Sequence, residues 1–127
     1  EQDAMRVYYI SPDGKIHGVA DDLTRPNGLI GTPDGRTLYV TDHGASKTWR
    51  YAVAADGMLT SKTLLCEIGS DGMTLDSHGN LYLTTDAVLV YTPEGDFLRR
   101  IEVPEQPANV CFGKDLSDQN CSRLMLK

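Results

Sequence analysis

Two segments of this 127-residue chain share one grammar at a spacing of 44 residues. The first is Arg25-Pro26-Asn27-Gly28-Leu29-Ile30-Gly31-Thr32-Pro33-Asp34-Gly35-Arg36-Thr37-Leu38-Tyr39-Val40. The second is Ser70-Asp71-Gly72-Met73-Thr74-Leu75-Asp76-Ser77-His78-Gly79-Asn80-Leu81-Tyr82-Leu83. Each opens on a polar residue followed by glycine, runs through an apolar strand, turns at an acidic segment ending in glycine, and returns along an apolar-aromatic strand. The turn glycines Gly35 and Gly79 set the 44-residue period, and the same alignment places Asn27 opposite Asp71. A second series, Gly14, Gly57 and Gly95, closes the alternate turns at spacings of 43 and 38. Two hairpins per period make four antiparallel strands per period, and roughly 40–45 residues is the length of a four-stranded propeller blade. No window sustains helical periodicity, so the chain reads as all-β. The long repeating period favours propeller blades over a sandwich, with about three blades' worth of residues.

Taken in order, Arg6–Ile10 and Lys15–Ala20 predict a hairpin about Ser11-Pro12-Asp13-Gly14, with proline preset at the first corner. Asp21–Pro26 reads as a crossing loop, and Asn27–Val40 as a hairpin about Thr32-Pro33-Asp34-Gly35. Thr48–Val53 and Leu59–Ile68 flank the Ala55-Asp56-Gly57 turn. Met73–Leu75 and Asn80–Thr84 flank Asp76-Ser77-His78-Gly79, and Val88–Tyr91 and Phe97–Val103 flank Thr92-Pro93-Glu94-Gly95. Ala108–Phe112 starts another inner strand. Asp118–Lys127 shows no strand-like alternation, so the expected division is a partial β-propeller over 1–117 and a divergent C-terminal tail over 118–127.

The formal net charge of −6 supplies no basic stripe to neutralise phosphates, which argues against a nucleic-acid partner. No apolar run approaches the roughly 18 residues of a membrane span. Glu1-Gln2-Asp3-Ala4-Met5 has neither the basic nor the apolar region of a signal peptide, which leaves the compartment unassigned. The three cysteines, Cys66, Cys111 and Cys121, match no zinc spacing and no disulfide framework. Cys66 and Cys111 read as buried free thiols rather than redox groups. The chain has no Gly-x-Ser-x-Gly elbow and no Cys/His pairing signal, so it points away from a serine or cysteine nucleophile.

At Arg25-Pro26-Asn27-Gly28, at Ser70–Asp76 and at Asn109-Val110-Cys111-Phe112-Gly113, the sequence resembles the SMP-30/gluconolactonase/luciferin-regenerating-enzyme family. The motifs fall in the order and spacing of that family's second half, and the Asp-Gly-Met-x-x-Asp segment at Asp71–Asp76 is their most specific part. The resemblance implies half of a six-bladed propeller with a divalent metal in the central channel. Calcium is the usual ion, with zinc, magnesium and manganese as alternatives. It also implies hydrolysis of a small-molecule lactone or ester, with Asn27 and Asp71 as metal ligands and Asp71 as the base that activates water. The chain departs from the pattern in two places. The family's Glu from its first blade, and an Asn from the blade before the Pro-Asn-Gly one, would lie upstream of Glu1. A single Gly113 stands where the family shows a Gly-Gly pair. The expectation that follows is a truncated lactonase.

Each candidate also has a plainer reading. Asn-Gly and Ser-Asp-Gly are ordinary turn sequences, whereas one amide and one carboxylate oxygen from equivalent places on adjacent blades suit a hard cation. Asp76 reads as a turn-capping residue, and Asp42 and Asp86, 44 apart, as repeated loop architecture. His43 is read as a solvated loop residue, with contact to a substrate as the alternative; His17 and His78 carry no assigned role. Trp49, Tyr39 and Tyr82 read as packing between blades. Three blades leave two apolar faces uncovered, so the sequence predicts a homodimer that closes the ring, with a strand-swapped or larger assembly as the alternative. The competing functional reading is a catalytically incomplete propeller remnant that serves as a binding or structural module.

Overall fold

The five turn glycines of the sequence organise the chain's backbone. Gly14, Gly35, Gly57, Gly79 and Gly95 have φ of 81°, 70°, 86°, 81° and 94°, the left-handed region open to a residue without Cβ. Each donates its N–H to the carbonyl three residues earlier, from Gly14 to Ser11 (2.8 Å) through Gly95 to Thr92 (3.0 Å). This is a type I turn followed by a left-handed glycine, a common way to close a hairpin without splaying its strands.

The computed structural model describes residues 5–114 and 122–127. Among these there are twelve strands and no helix. They are β1 (Val7–Ile10), β2 (Ile16–Ala20), β3 (Pro26–Gly31), β4 (Thr37–Asp42), β5 (Lys47–Val53) and β6 (Leu59–Cys66). The remaining six are β7 (Met73–Leu75), β8 (Leu81–Thr84), β9 (Val88–Tyr91), β10 (Phe97–Ile101), β11 (Val110–Lys114) and β12 (Ser122–Leu126). Strands β3-β4-β5-β6 and β7-β8-β9-β10 form two four-stranded antiparallel sheets in simple meander order. Strands β1-β2 and β11-β12 form two-stranded sheets. Four strands per repeat is the blade of a propeller, as the 44-residue period requires.

The chain divides into two compact units, Glu1–Gly69 and Ser70–Lys127. In the first, Val7, Ala20 and Leu23 from the β1-β2 region bury against Val40 and Tyr51 of β4 and β5, with Val19, Leu38, Trp49 and Leu59 packed around them. In the second, Tyr82, Val88 and Val90 bury against Val110, with Ile101, Val103, Phe112 and Leu124 alongside. Tyr82 meets Phe112 edge-on at 5.1 Å between ring centres. Trp49 and Tyr82 therefore pack between neighbouring sheets of their own units. Tyr39 is buried on β4.

Two expectations are corrected here. The segment read as lacking strand character contains β12, whose residues pair with β11 from Val110↔Leu126 to Lys114↔Ser122. The partner supplies what the weak alternation of Ser122–Leu126 does not, because an open strand edge templates its neighbour. Residues 118–121, Cys121 among them, lie outside the described residues. Cys111 is exposed, not buried. Val110 and Phe112 turn inward from β11 while Cys111 and its cross-strand partner Met125 share the outer face. Cys66 is buried, and burial pushes its thiol above the ordinary range, against opposing bonds from Thr48 and Ile68, so it stays protonated at neutral pH.

Candidate functional site

Each unit carries one of the sequence's candidate residues, Asn27 in the first and Asp71 in the second. Asn27 lies in β3, exposed, immediately before Gly28. The Gly28 N–H donates to Thr41 Oγ1 at 2.9 Å, and the Thr41 hydroxyl lies 3.3 Å from the Gly28 carbonyl as donor. Thr41 is fully buried near the end of β4. One hydroxyl thus satisfies both polar groups of a glycine inside the sheet, where a bulge separates the Pro26 and Leu29 pairings.

The second unit repeats the device. The Gly72 N–H donates to Thr84 Oγ1 at 2.9 Å, and the Thr84 hydroxyl reaches the Gly72 carbonyl at 3.1 Å and the Ala108 carbonyl at 3.3 Å. The Thr84 N–H also donates to the Gly72 carbonyl at 3.1 Å, and the Asp71 N–H donates to the Thr84 carbonyl at 3.4 Å. Ser70, almost fully buried, donates its hydroxyl to the Gly72 carbonyl at 3.1 Å. Gly72 has no room for a side chain, because a Cβ would lie 2.8 Å from the Asn109 Cα. Asn109 itself bonds across to the last residue, donating its N–H to the Lys127 carbonyl at 3.1 Å. Asn27 and Asp71 therefore occupy equivalent places, each just before a threonine-held glycine, in separate units.

The strand ladder refines that equivalence. Leu29, Ile30 and Gly31 face Val40, Tyr39 and Leu38, while Met73, Thr74 and Leu75 face Leu83, Tyr82 and Leu81. The inner strands keep the 44-residue offset, but the returning strands are offset by 43. Arg36 is the extra residue. The Thr32 N–H closes its turn on the Thr37 carbonyl, five residues on, whereas Asp76 closes on Asn80, four residues on. The ladder thus sets Thr85, not Asp86, against Asp42.

That shift separates two aspartates that look alike in sequence. Asp42 is 2% exposed, and its carboxylate accepts the Thr24 N–H (2.7 Å), the Arg25 N–H (2.7 Å) and the Ala45 N–H (3.3 Å). Burial works against its charge, but these three amides, aided by Lys62, outweigh it and hold the carboxyl below the usual range. Asp42 fastens the crossing loop that leads into Asn27. Asp86 is exposed and takes a two-pronged bond from Arg100 at 2.9 and 3.2 Å. The Arg100 guanidinium, then Thr85, lowers its pKa. Asp76 caps its own turn as expected, accepting the His78 and Asn80 N–H groups at 2.9 Å each, the Asn80 amide at 2.9 Å and the Tyr82 hydroxyl at 3.3 Å. Its carboxyl is lowered because these bonds, led by Asn80, overcome burial. His43 is exposed, its N–H held by the Arg25 carbonyl at 3.0 Å. His17 stacks against Tyr9 with ring centres 6.0 Å apart.

Asn27 carries an amide oxygen in one unit and Asp71 a carboxylate in the other. Both are hard oxygens, the donor chemistry that calcium prefers. Among the described residues no group of three or more His, Cys, Asp and Glu forms a separate metal cluster. Thr41 and Thr84 carried no role in the sequence reading, and Asn109 entered it only as the first residue of the Asn109–Gly113 motif. The recurrence of threonine 13 residues after Gly28 and 12 after Gly72 was the available signal.

Comparison with known proteins places this geometry. The family model "SMP-30/Gluconolactonase/LRE-like region" matches residues 1–119. A gluconolactonase from Zymomonas mobilis is 35% identical over 124 residues, covering 85% of this chain and 35% of that protein. A gluconolactonase structure from Xanthomonas campestris superposes with a TM-score of 0.84 at 31% identity, over 100% of this chain and 42% of that one. A structure of regucalcin, a calcium-binding protein from Agrobacterium tumefaciens, gives a TM-score of 0.73 at 26% identity, over 83% and 39%. The chain spans about a third of the length of the curated relatives it matches. With two complete four-stranded blades, the threonine-held Asn-Gly and Asp-Gly peptides and a family match over most of its length, this chain belongs to the SMP-30/gluconolactonase/LRE-like family.

Proposed function

We propose that this chain is the metal-binding part of a divalent-metal-dependent lactonase, with a small-molecule lactone or ester as substrate. The observation that carries the reading is the repeated peptide geometry beside Asn27 and Asp71, in which a buried threonine holds the glycine that follows each of them. Support comes from the lactonases among its relatives and from the calcium-binding regucalcin among its structural neighbours. Calcium is the favoured ion, and zinc, magnesium and manganese are the alternatives. Bound there, a divalent ion would polarise the lactone carbonyl and acidify an attacking water. Asn27 contributes a neutral ligand that leaves the site's charge unchanged. Asp71 contributes charge and accepts the proton of the attacking water, so its loss removes two roles at once.

Homodimerisation would complete the assembly. The strand inventory runs two, four, four, two, so two copies hold four complete blades and four half-sheets, the strand content of six blades. The half-sheets expose apolar side chains suited to a partner, Ile10 and Ile16 on β1-β2 and Met125 on β11-β12.

The test is hydrolysis of a sugar lactone by the wild type and by Asp71→Ala, with calcium and with chelator. The expected result is calcium-dependent turnover that falls by roughly 10²-fold or more in Asp71→Ala, the usual scale for losing a general base. Turnover that is indifferent to calcium or to Asp71 would overturn the reading and favour a binding or structural module.

A further inference from the structure

We infer that Thr41 and Thr84 are positioning residues for the metal ligands, each holding the peptide next to a ligand through both polar groups of its glycine. The inference rests on the metal-binding reading of Asn27 and Asp71 and names residues beyond it.

The geometry makes the case. A metal ligand at the mouth of a strand is only as well placed as the backbone beneath it, because a displacement of the peptide moves the donor oxygen with it. Glycine follows the ligand in both repeats, and glycine is the residue least able to fix its own backbone. Thr41 and Thr84 restrain the backbone at those points. Each hydroxyl is buried, accepts the glycine N–H at 2.9 Å, and lies within donating distance of the glycine carbonyl, 3.3 Å away for Thr41 and 3.1 Å for Thr84. A buried hydroxyl that pairs a donor and an acceptor of one residue fixes the orientation of both flanking peptide planes.

Thr84 carries a further link. Its hydroxyl also lies 3.3 Å from the Ala108 carbonyl, so the Asp71-Gly72 peptide is referenced to the start of the next sheet in the same unit. Asn109, adjoining Ala108, presses on Gly72 and denies it a side chain. The Asp71 arm is therefore held at three points: Thr84, the Ser70 hydroxyl and the face of Asn109. The same glycine–threonine contact recurs in both repeats, as a requirement for a set peptide orientation would produce. Strand pairing alone would be met by valine at either threonine, which would fill the same volume.

The experiment is isothermal titration of the whole chain with calcium, alongside thermal melting of the metal-free protein. Thr84→Val and Thr41→Val keep the shape and delete the hydroxyl; Thr84→Ser and Thr41→Ser keep the hydroxyl and delete a methyl. The expected result is calcium affinity weakened roughly ten- to hundredfold in each valine variant, as when the partner of a ligand is removed. The serine variants should recover most of that affinity while melting below the valine ones, which separates positioning from packing. Wild-type affinity in folded valine variants would overturn the inference and leave the metal reading standing. So would equal weakening by serine and valine, or unfolding confined to the valine variants, which would make the hydroxyls structural. A wild type that takes up no calcium would defeat the metal reading and this inference with it.

Discussion

Asp42 illustrates how a single carboxylate can hold a loop by charge and geometry together. Its two oxygens gather three amides from both sides of the strand end. Replacement by asparagine turns one acceptor into a donor that faces N–H groups, so Asp42→Asn should destabilise the chain by about 2–3 kcal/mol in urea unfolding. The sign of the pH effect follows from the lowered pKa. Unfolded, the carboxyl titrates at about 3.9; folded, it titrates lower. Its contribution is therefore complete above about pH 4–5 and is lost as pH falls through the folded value. The gap between wild type and Asp42→Asn should accordingly be constant from neutral pH to about pH 5 and close in stronger acid. A gap that persists unchanged at about pH 2 would show that the lost stability lies elsewhere. Sequence had marked Asp42 as loop architecture. It could not show that Asp86 differs, because that depends on one extra residue in a turn.

At the scale of elements, the hairpin turns were legible because their chemistry is local. All five glycines marked by sequence adopt positive φ, since Pro, Ala or Ser, then an acidic or polar residue, then Gly specifies the turn without help from the rest of the chain. Their surroundings are not local, and this yields an ordering. A Cβ at Gly14 or Gly35 would meet nothing within 4 Å, whereas at Gly57 it would press into the Tyr9 ring, 2.5 Å from Cζ. Gly14→Ala and Gly35→Ala should lose about 1–2 kcal/mol of backbone strain alone. Gly57→Ala should lose more, with the excess recovered in a Tyr9→Ala background, measured as a double-mutant cycle. Equal losses at all three sites would mean that Tyr9 moves aside freely. Strand β12 marks the opposite limit: it exists because β11 offers an edge, and its own five residues carry too little alternation to announce it.

At the scale of the molecule, both two-stranded sheets expose large apolar residues, as the outer strands of the four-stranded sheets also do at Leu29, Phe97 and Leu98. Ile16 is 69% exposed and Met125 56% exposed, on sheets of two strands each. The proposed homodimer covers such surfaces, and calcium bound by Asn27 and Asp71 would stabilise the assembled form by mass action. Light scattering of the native protein is expected to give twice the mass of 13.9 kDa, with a melting temperature that rises with added calcium. A monomer of unchanged stability in calcium would remove the support for ring closure by two copies.

Sequence by itself determined the turns, the order of eleven strands, the all-β class and the equivalence of Asn27 with Asp71. Each of these is written in local periodicity: glycine spacing, proline corners and apolar runs that two-residue alternation must place on one face or the other. The tertiary structure decided what depends on partners far along the chain. It set Thr85 rather than Asp86 against Asp42, turned Cys111 outward, made β12 a strand and brought Thr41 and Thr84 onto the glycines that follow Asn27 and Asp71. Hydrogen-bond partners 12 or 13 residues away are fixed by register, and register is settled only when whole sheets close.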